Sequence, residues 1–511
     1  MQGERDLQGT EARPRKLPLL SKLGFGVGQG GEGLHTAGIN AFLILYYQQV
    51  LGLPGSKAGF ALLISMVVDA ISDPVAGAIS DRMQSKWGRR HPMMAFSVLP
   101  IAASYIALFC PPAGLSESSL FLWLATFAVL ARLSLTLYHI PHLALGAEMA
   151  SDYNDRSLVF SYSSFFGWVM ALGGIFAAYT LFFPETAQYR PGTLNPDGYR
   201  LFAISFALVM AGAMALSIVG TLREIPHLPV AVEKPAPLRP RPFLQELGQI
   251  LSNRSFVMIF LGMLAGALVV NINEILTPYM GLHFWELRTD QLRWLTLAVG
   301  GGLPVALTLA WVLPRLIDKR NTILLCLFTF VFIQNTPIVL RLLDVPGFPS
   351  NGDPALLRVL LLVQFGVGCS APVILIMLGS VLADVCDEIE LQTGRRLEGL
   401  VFSARSLIVK ITSGAGNFLG GVILEAIAFP TGATAGTVAG DVLFRLGAVA
   451  GPMSGGLALL GAVFYLGYKL DRRRHSQIAE ALRVRRAAKL SAPEISAAAP
   501  PNRGVAPVPV S

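Results

Sequence analysis

The chain has 511 residues, of which 53% are hydrophobic and only 14% charged, against roughly 25% charged in an ordinary soluble protein. Its formal charge of +8 comes from basic residues in connecting segments and tails, with no aromatic interleaving, which argues against a nucleic-acid partner. A large soluble helical protein is excluded too, because blocks such as 92–111 and 448–467 carry no polar stripe.

In chain order, residues 1–21 are polar and basic without an apolar core, so they read as a cytoplasmic tail rather than a cleavable leader. Apolar blocks long enough to cross the hydrocarbon then fall at about 22–51, 57–80, 91–112, 118–148, 157–184 and 200–222. Residues 223–253 begin REIPHLPVAVEKPAPLRPR, a proline-rich charged run that reads as an extended linker. Six further blocks follow at about 254–283, 290–317, 321–345, 354–386, 398–430 and 440–469. The stretch 470–511 is basic and then rich in alanine and proline, and is expected to be a disordered tail. The pattern predicts an all-α membrane protein of twelve transmembrane helices in two six-helix bundles, 22–222 and 254–469.

Positive residues cluster in alternate loops: Arg82, Lys86, Arg89 and Arg90, then Arg223, Lys234, Arg239 and Arg241, then Arg315, Lys319 and Arg320, then Arg395 and Arg396. The intervening loops hold isolated charges such as Lys57, Arg190, Arg288 and Arg341. By the positive-inside rule both termini are cytoplasmic, which agrees with an even number of spans. The protein is expected in the plasma (inner) membrane, in contact with its lipids and working as a monomer. Cys110, Cys326, Cys369 and Cys386 lie in or beside apolar segments without CxxC spacing and read as small buried residues.

A charge inside a span costs several kcal/mol and needs an explanation. Asp69 and Asp73 in VVDAISDPVAGAISD are four apart and share a helical face, where two like charges persist only with a cation or proton between them. Ser72 adds a hydroxyl oxygen, and carboxylate and hydroxyl oxygens suit a hard cation. Hydrogen bonds from neighbouring helices, or a counter-ion such as Arg132, would satisfy the pair as well. Arg132 and His139 share a face of the fourth span, with Thr136 close to it. Arg132 reads as a counter-ion or a substrate ligand; His139 reads as a substrate ligand, a proton carrier or a structural histidine. Lys410 is a lone ammonium in SLIVKITSGAG, for which Asp69 and Asp73 are the obvious partners. Glu32 in GQGGEGLHTAG and Glu274 in NINEILTPY stand beside small or helix-breaking residues and read either as lining a cavity or as sitting near a headgroup.

The segments SDRMQSKWGRRHP and DVCDEIELQTGRRLEG each place acidic residues at a helix end before two arginines, in matching or near-matching places of the two halves. They are read either as positive-inside anchors or as a cytoplasmic gate of Asp81, Arg89, Arg90, Asp384, Asp387, Arg395 and Arg396. No HExxH zinc motif, P-loop or intramembrane nucleophile–base pair occurs, so an enzyme is not expected.

Several long motifs in order carry a resemblance: DAISDP, SKWGRRHP, HIPHLALGAEMASDYNDRS and ADVCDEIELQTGRRLEGLVFSARSLIVK. The chain resembles the melibiose-permease-like glycoside–pentoside–hexuronide:cation symporters of the major facilitator superfamily. The resemblance implies the major facilitator fold and alternating access. It places Asp69, Asp73 and Thr136 at the family's cation site, Ser72 where the family has asparagine, and Lys410 at the lysine beside that site. It also marks departures: His139 replaces a sugar-binding aspartate, Leu143 a tryptophan and Ser164 an arginine, while Gly33, next to Glu32, aligns with a first-helix aspartate. The implied function is symport of a small solute, a sugar or glycoside, coupled to Na+ or H+, with no cofactor and no metal beyond that ion. Glu32, Arg132, His139 and Glu274 are the substrate candidates. The related animal lysophospholipid symporters share the cation motif and a His-x-Pro, so an amphipathic substrate stands as a second expectation. A non-transporting sensor on the same fold stands as a third.

Overall fold

The computed structural model describes residues 16–150, 153–228, 248–395, 397–468 and 470–491. Residues 1–15, most of the expected linker, Arg396 and the stretch 492–511 lie outside the described residues. The first bundle comprises α1 (Leu19–Leu45), α2 (Gly55–Arg82), α3 (His91–Phe109), α4 (Glu117–Met149), α5 (Tyr153–Ala177) and α6 (Pro196–Thr221). The second comprises α7 (Arg254–Tyr279), α8 (Thr289–Ile317), α9 (Lys319–Leu342), α10 (Pro354–Thr393), α11 (Glu398–Ala426) and α12 (Gly440–Leu466). Eleven described helices are long and apolar enough to cross a membrane. The remaining bundle helix is α1, made less apolar by its glycines and by Gln29, Glu32 and His35. Leu99, Leu208, Phe332 and Leu362 are exposed, as expected of side chains whose solvent is lipid.

The two bundles repeat one another. In the first, α1 packs on α5 and α6, α4 on α2 and α3, and α3 on α6. In the second, α7 packs on α11 and α12, α10 on α8 and α9, and α9 on α12. The bundles meet where α2 lies along α11, α5 along α8 and α1 against α7, the contacts expected when α1 to α6 map onto α7 to α12. Both α1 and α7 end in a π turn, Tyr46–Val50 and Met280–Phe284, and these turns help to close the molecule at one end.

At the face opposite the two termini a single buried apolar cluster includes residues of both bundles, among them Phe42, Leu62, Phe202, Tyr279 and Leu424. Hydrogen bonds cross the join there. The Gln49 amide donates to the Pro430 carbonyl (2.9 Å), the Gly432 amide to the Gln49 carbonyl (3.0 Å), and the Tyr279 hydroxyl to Gln48 (3.0 Å). Toward the terminal face the buried core divides into two, one cluster confined to each bundle. The described molecule is thus closed at one end and parted at the other.

Two expectations change. The stretch 470–511 was expected to be disordered, but Arg472–Ser491 forms α13, packed on α10. The physical reason is local: Ile478 and Leu482, four apart, are buried in the second bundle's core, while Arg474 and His475 reach Glu388 and Asp387 at 3.3 and 3.2 Å. Average composition conceals such a short apolar face. The two charged loop segments also do not occupy matching places, since α2 corresponds to α8 and α4 to α10. The repeat instead pairs a base at the α2–α3 loop with the end of α4, and a base at the start of α9 with the end of α10.

The closed end depends on backbone approach between α2 and α11. A Cβ on Gly421 would lie 2.0 Å from the Gly55 carbonyl oxygen, and one on Gly55 would lie 2.7 Å from that of Gly421. Since neither obstacle is a movable side chain, Gly421→Leu is expected to part this end. With the native cysteines replaced and a probe cysteine at Ala37, a membrane-impermeant thiol reagent applied opposite the termini should label the variant severalfold faster than its parent. An unchanged rate would show that the glycine contact does not hold the end shut.

Candidate cation and substrate site

Asp69 and Asp73 project from one face of α2, and the α2–α11 packing brings Lys410 to them. The ammonium lies 2.8 Å from Asp69 Oδ2 and bonds Asp73 Oδ2 as well. From α4, the Thr136 hydroxyl stands 2.7 Å from Asp69 Oδ1 and 3.1 Å from Asp73 Oδ1. With one hydrogen it can only share itself between the two, and its lone pairs remain available to a cation. Two carboxylates and one ammonium leave one net negative charge. Ser72 is not brought to this group: its hydroxyl donates back to the Asp69 carbonyl oxygen (3.1 Å), the usual local bond of a mid-helix serine.

A second charged cluster lies wholly within the first bundle. Glu32 on α1 is buried, with Oε2 2.6 Å from His139 Nδ1 and 3.1 Å from the Gln29 amide. Its Oε1 is 3.7 Å from His142 Nδ1. His142 is itself fixed by its Nε2, 3.0 Å from the Phe25 carbonyl, and by stacking on the Phe25 ring. Proline follows close on each region, Pro74 after Asp73, Pro141 between the two histidines and Pro278 after Glu274. Each removes a backbone donor within the helix.

Both clusters line one cavity of about 770 Å³ between the bundles. Its walls include Glu32, Asp69, Asp73, Arg132, Thr136, His139, Glu274 and Lys410, so every sequence-predicted cation, coupling and substrate residue except Ser72 converges there. Glu274 on α7 accepts from the Asn40 amide on α1 (3.0 Å), a bond across the bundle join. Gly33, Leu143 and Ser164 also line the cavity, and Gly33 could hold no side chain here: its Cβ would lie 2.4 Å from the Gly167 carbonyl oxygen. The carboxylate on this wall is therefore Glu32. The aromatic face is Trp168 on α5, half-exposed to the cavity. Sequence reasoning missed it because the signal is only its place one turn beyond Ser164. An adjoining, mainly apolar cavity of about 360 Å³ shares Ala37, Trp168, Ala171 and Glu274.

The residues read as a gate stand apart, each in its own bundle. Arg90 bonds Asp81 (2.6 Å) and Glu148 (2.5 Å), and Arg89 lies 3.2 Å from Glu148. In the other bundle Lys319 holds Asp384 (2.6 Å), and His475 of α13 lies between Asp384 and Asp387 (3.4 and 3.2 Å). Arg395 follows the end of α10, and Arg396 lies outside the described residues. Glu148, Lys319 and His475 were not anticipated as members of these networks.

Lys410 is the only full cation bonded to the aspartate pair among the described ion pairs, and its removal is expected to destabilise the protein. Breaking a buried pair typically costs about 3–5 kcal/mol, so Lys410→Met should melt well below wild type in sodium-free buffer. If the pair accepts sodium, the ion should raise that variant's melting temperature more than it raises the wild type's. Equal melting of both proteins would show that the lysine does not neutralise the pair.

The pattern of the MFS/sugar transport protein family matches residues 24–472. The uncharacterized symporter sll1374 of Synechocystis sp. is 26% identical, with 92% of this chain and 97% of that protein aligned. The isoprimeverose transporter of Lactiplantibacillus pentosus is 22% identical, covering 80% of this chain and 81% of its own. The sphingosine-1-phosphate transporter MFSD2B of Mus musculus is 24% identical, with coverages of 80% and 81%. Among solved structures, a variant of the nucleoside transporter NupG superposes with a TM-score of 0.57 at 16% identity, covering 88% of this chain and 100% of NupG. The inward-open xylose transporter XylE from E. coli gives 0.56 at 14%, covering 91% and 98%. These structural likenesses carry the fold: two six-helix bundles of the major facilitator type. The chain belongs to the MFS/sugar transport protein family, within the glycoside–pentoside–hexuronide:cation symporters of the major facilitator superfamily.

Proposed function

We propose that this transporter couples entry of a small polar solute, a sugar or glycoside, to a cation moving down its gradient. The observation that carries the reading is the group Asp69, Asp73 and Lys410, with a net charge of −1 and members in both bundles. A Na+ or H+ at the aspartates neutralises that charge and weakens the hold of Lys410. The same ion therefore adjusts both the charge of the cavity and the α2–α11 contact. With the terminal face as cytoplasmic, as the loop charges argue, the described state opens inward. Arg90 with Glu148, and Lys319 with Asp384, then lie on the two cytoplasmic rims that approach one another in the outward-open state. Arg132, His139, Glu274 and Trp168 would face the solute, the polar groups binding its hydroxyls and the indole packing on its C–H faces.

A second reading, an amphipathic substrate, is favoured by the apolar cavity beyond Trp168, which would take a hydrocarbon group while the polar end stays among the charges. A binding screen of glycosides, sugar acids and lysolipids separates the two readings. For the ligand so found, affinity with and without the coupling ion should differ by roughly 5–150-fold, the usual span of a coupling energy. Asp73→Asn should abolish the difference, together with gradient-driven uptake in proteoliposomes. Affinity indifferent to sodium, lithium and pH alike would overturn the symport reading.

A further inference from the structure

The Glu32–His139 pair is not used by the ion site just described, and the fold keeps it separate. Glu32 is 5% exposed, and its Oε1 is a buried oxygen without a hydrogen-bond partner among the described residues. Its other oxygen is held by His139 Nδ1 and Gln29. His139 has a side chain 39% exposed and lines the cavity, and with Nδ1 engaged by Glu32 its Nε2 is left for the cavity. A buried carboxylate therefore meets solvent through one imidazole. From the geometry we infer that Glu32 and His139 form a second cation site, selective for a proton and distinct from the site at Asp69 and Asp73.

The charge states explain the selectivity. With one proton on the ring beyond its neutral form, imidazolium and carboxylate sum to zero. Loss of that proton leaves a bare anion at bilayer depth, which is costly without a counter-ion. No step other than proton exchange is required: the proton leaves His139 for cavity water, and returns from it. A metal cation fits poorly, because His139 Nδ1 and the Gln29 amide already occupy one carboxylate oxygen and the other faces a second histidine.

The surroundings carry the charges that bear on this proton. On α1, Gln29 bonds Glu32, and His35 lies one turn beyond it, fully buried. On α2, Asp69 and Asp73 line the same cavity and favour the protonated ring. On α4, Arg132 opposes it from the cavity wall, while Tyr138 and His142 back the pair, and Ser217 of α6 stands 3.4 Å from His142. Ser163 and Ser164 of α5, Glu274 of α7 and Lys410 of α11 line the same cavity. Both members of the pair belong to the first bundle, whereas Lys410 reaches its aspartates across the join. Rocking of the bundles would thus alter the first site's composition but leave the second intact, changing only the side of the membrane to which His139 opens.

The test needs no substrate. Infrared difference spectra of the purified full chain, perfused between about pH 5.5 and about pH 8.5 to bracket a histidine's ordinary range, report imidazole and carboxylate titration directly. In saturating sodium, the wild type should show a reversible imidazole–carboxylate change, and Asp73→Asn should retain it. His139→Gln should lose it, and Glu32→Gln should lose the carboxylate component and displace the imidazole one. Should His139→Gln fail to fold by size exclusion and melting, Glu32→Gln alone decides. A change that persists in both variants, or that vanishes in Asp73→Asn, overturns the second site. That result would leave sodium-dependent uptake untouched, so failure here is distinguishable from failure of the symport reading.

Discussion

A charge at membrane depth is costly without a partner, and Lys410 of α11 meets Asp69 and Asp73 of α2 on the wall of the cavity between the bundles. The two carboxylates share one bonded ammonium, and the Arg132 guanidinium stands on the same cavity wall. The site joins the two bundles through α2 and α11. Its members come from both halves, so these ion pairs cross the join between the bundles.

That join is fixed differently at the two ends. Opposite the termini, glycine backbones touch, glutamine amides of the α1 π turn bond the far bundle, and the apolar core is continuous. Toward the terminal face the core is divided, and arginine, lysine and histidine hold acidic partners within their own bundle. These ion pairs are therefore satisfied inside each bundle while the halves are apart. The docking of α13 on α10 belongs to the same economy, because its Arg474 and His475 cover Glu388 and Asp387.

The cavity combines charged, hydroxyl and aromatic side chains. Close packing of α1 on α5 denies any side chain to Gly33, and Glu32, one residue earlier, supplies the carboxylate instead. Trp168 supplies an aromatic face from α5 where the fourth helix offers Leu143. The indole stands beside both the charged groups and the apolar cavity.

The sequence by itself determined the solvent, the spans and the residues that carry charge inside them. Hydrocarbon makes this legible: apolar blocks must be long, and any ionisable residue within one stands out. It also offered Lys410 and Arg132 as counter-ions for Asp69 and Asp73, a choice the local pattern left open. Tertiary structure alone decided the rest. It turned Ser72 back to its own helix and gave Glu32 to His139, 107 residues away. It also set α13 against α10 and parted the bundles at one end only. Such contacts depend on the rotation and tilt with which whole helices pack, and no local pattern of residues encodes those angles.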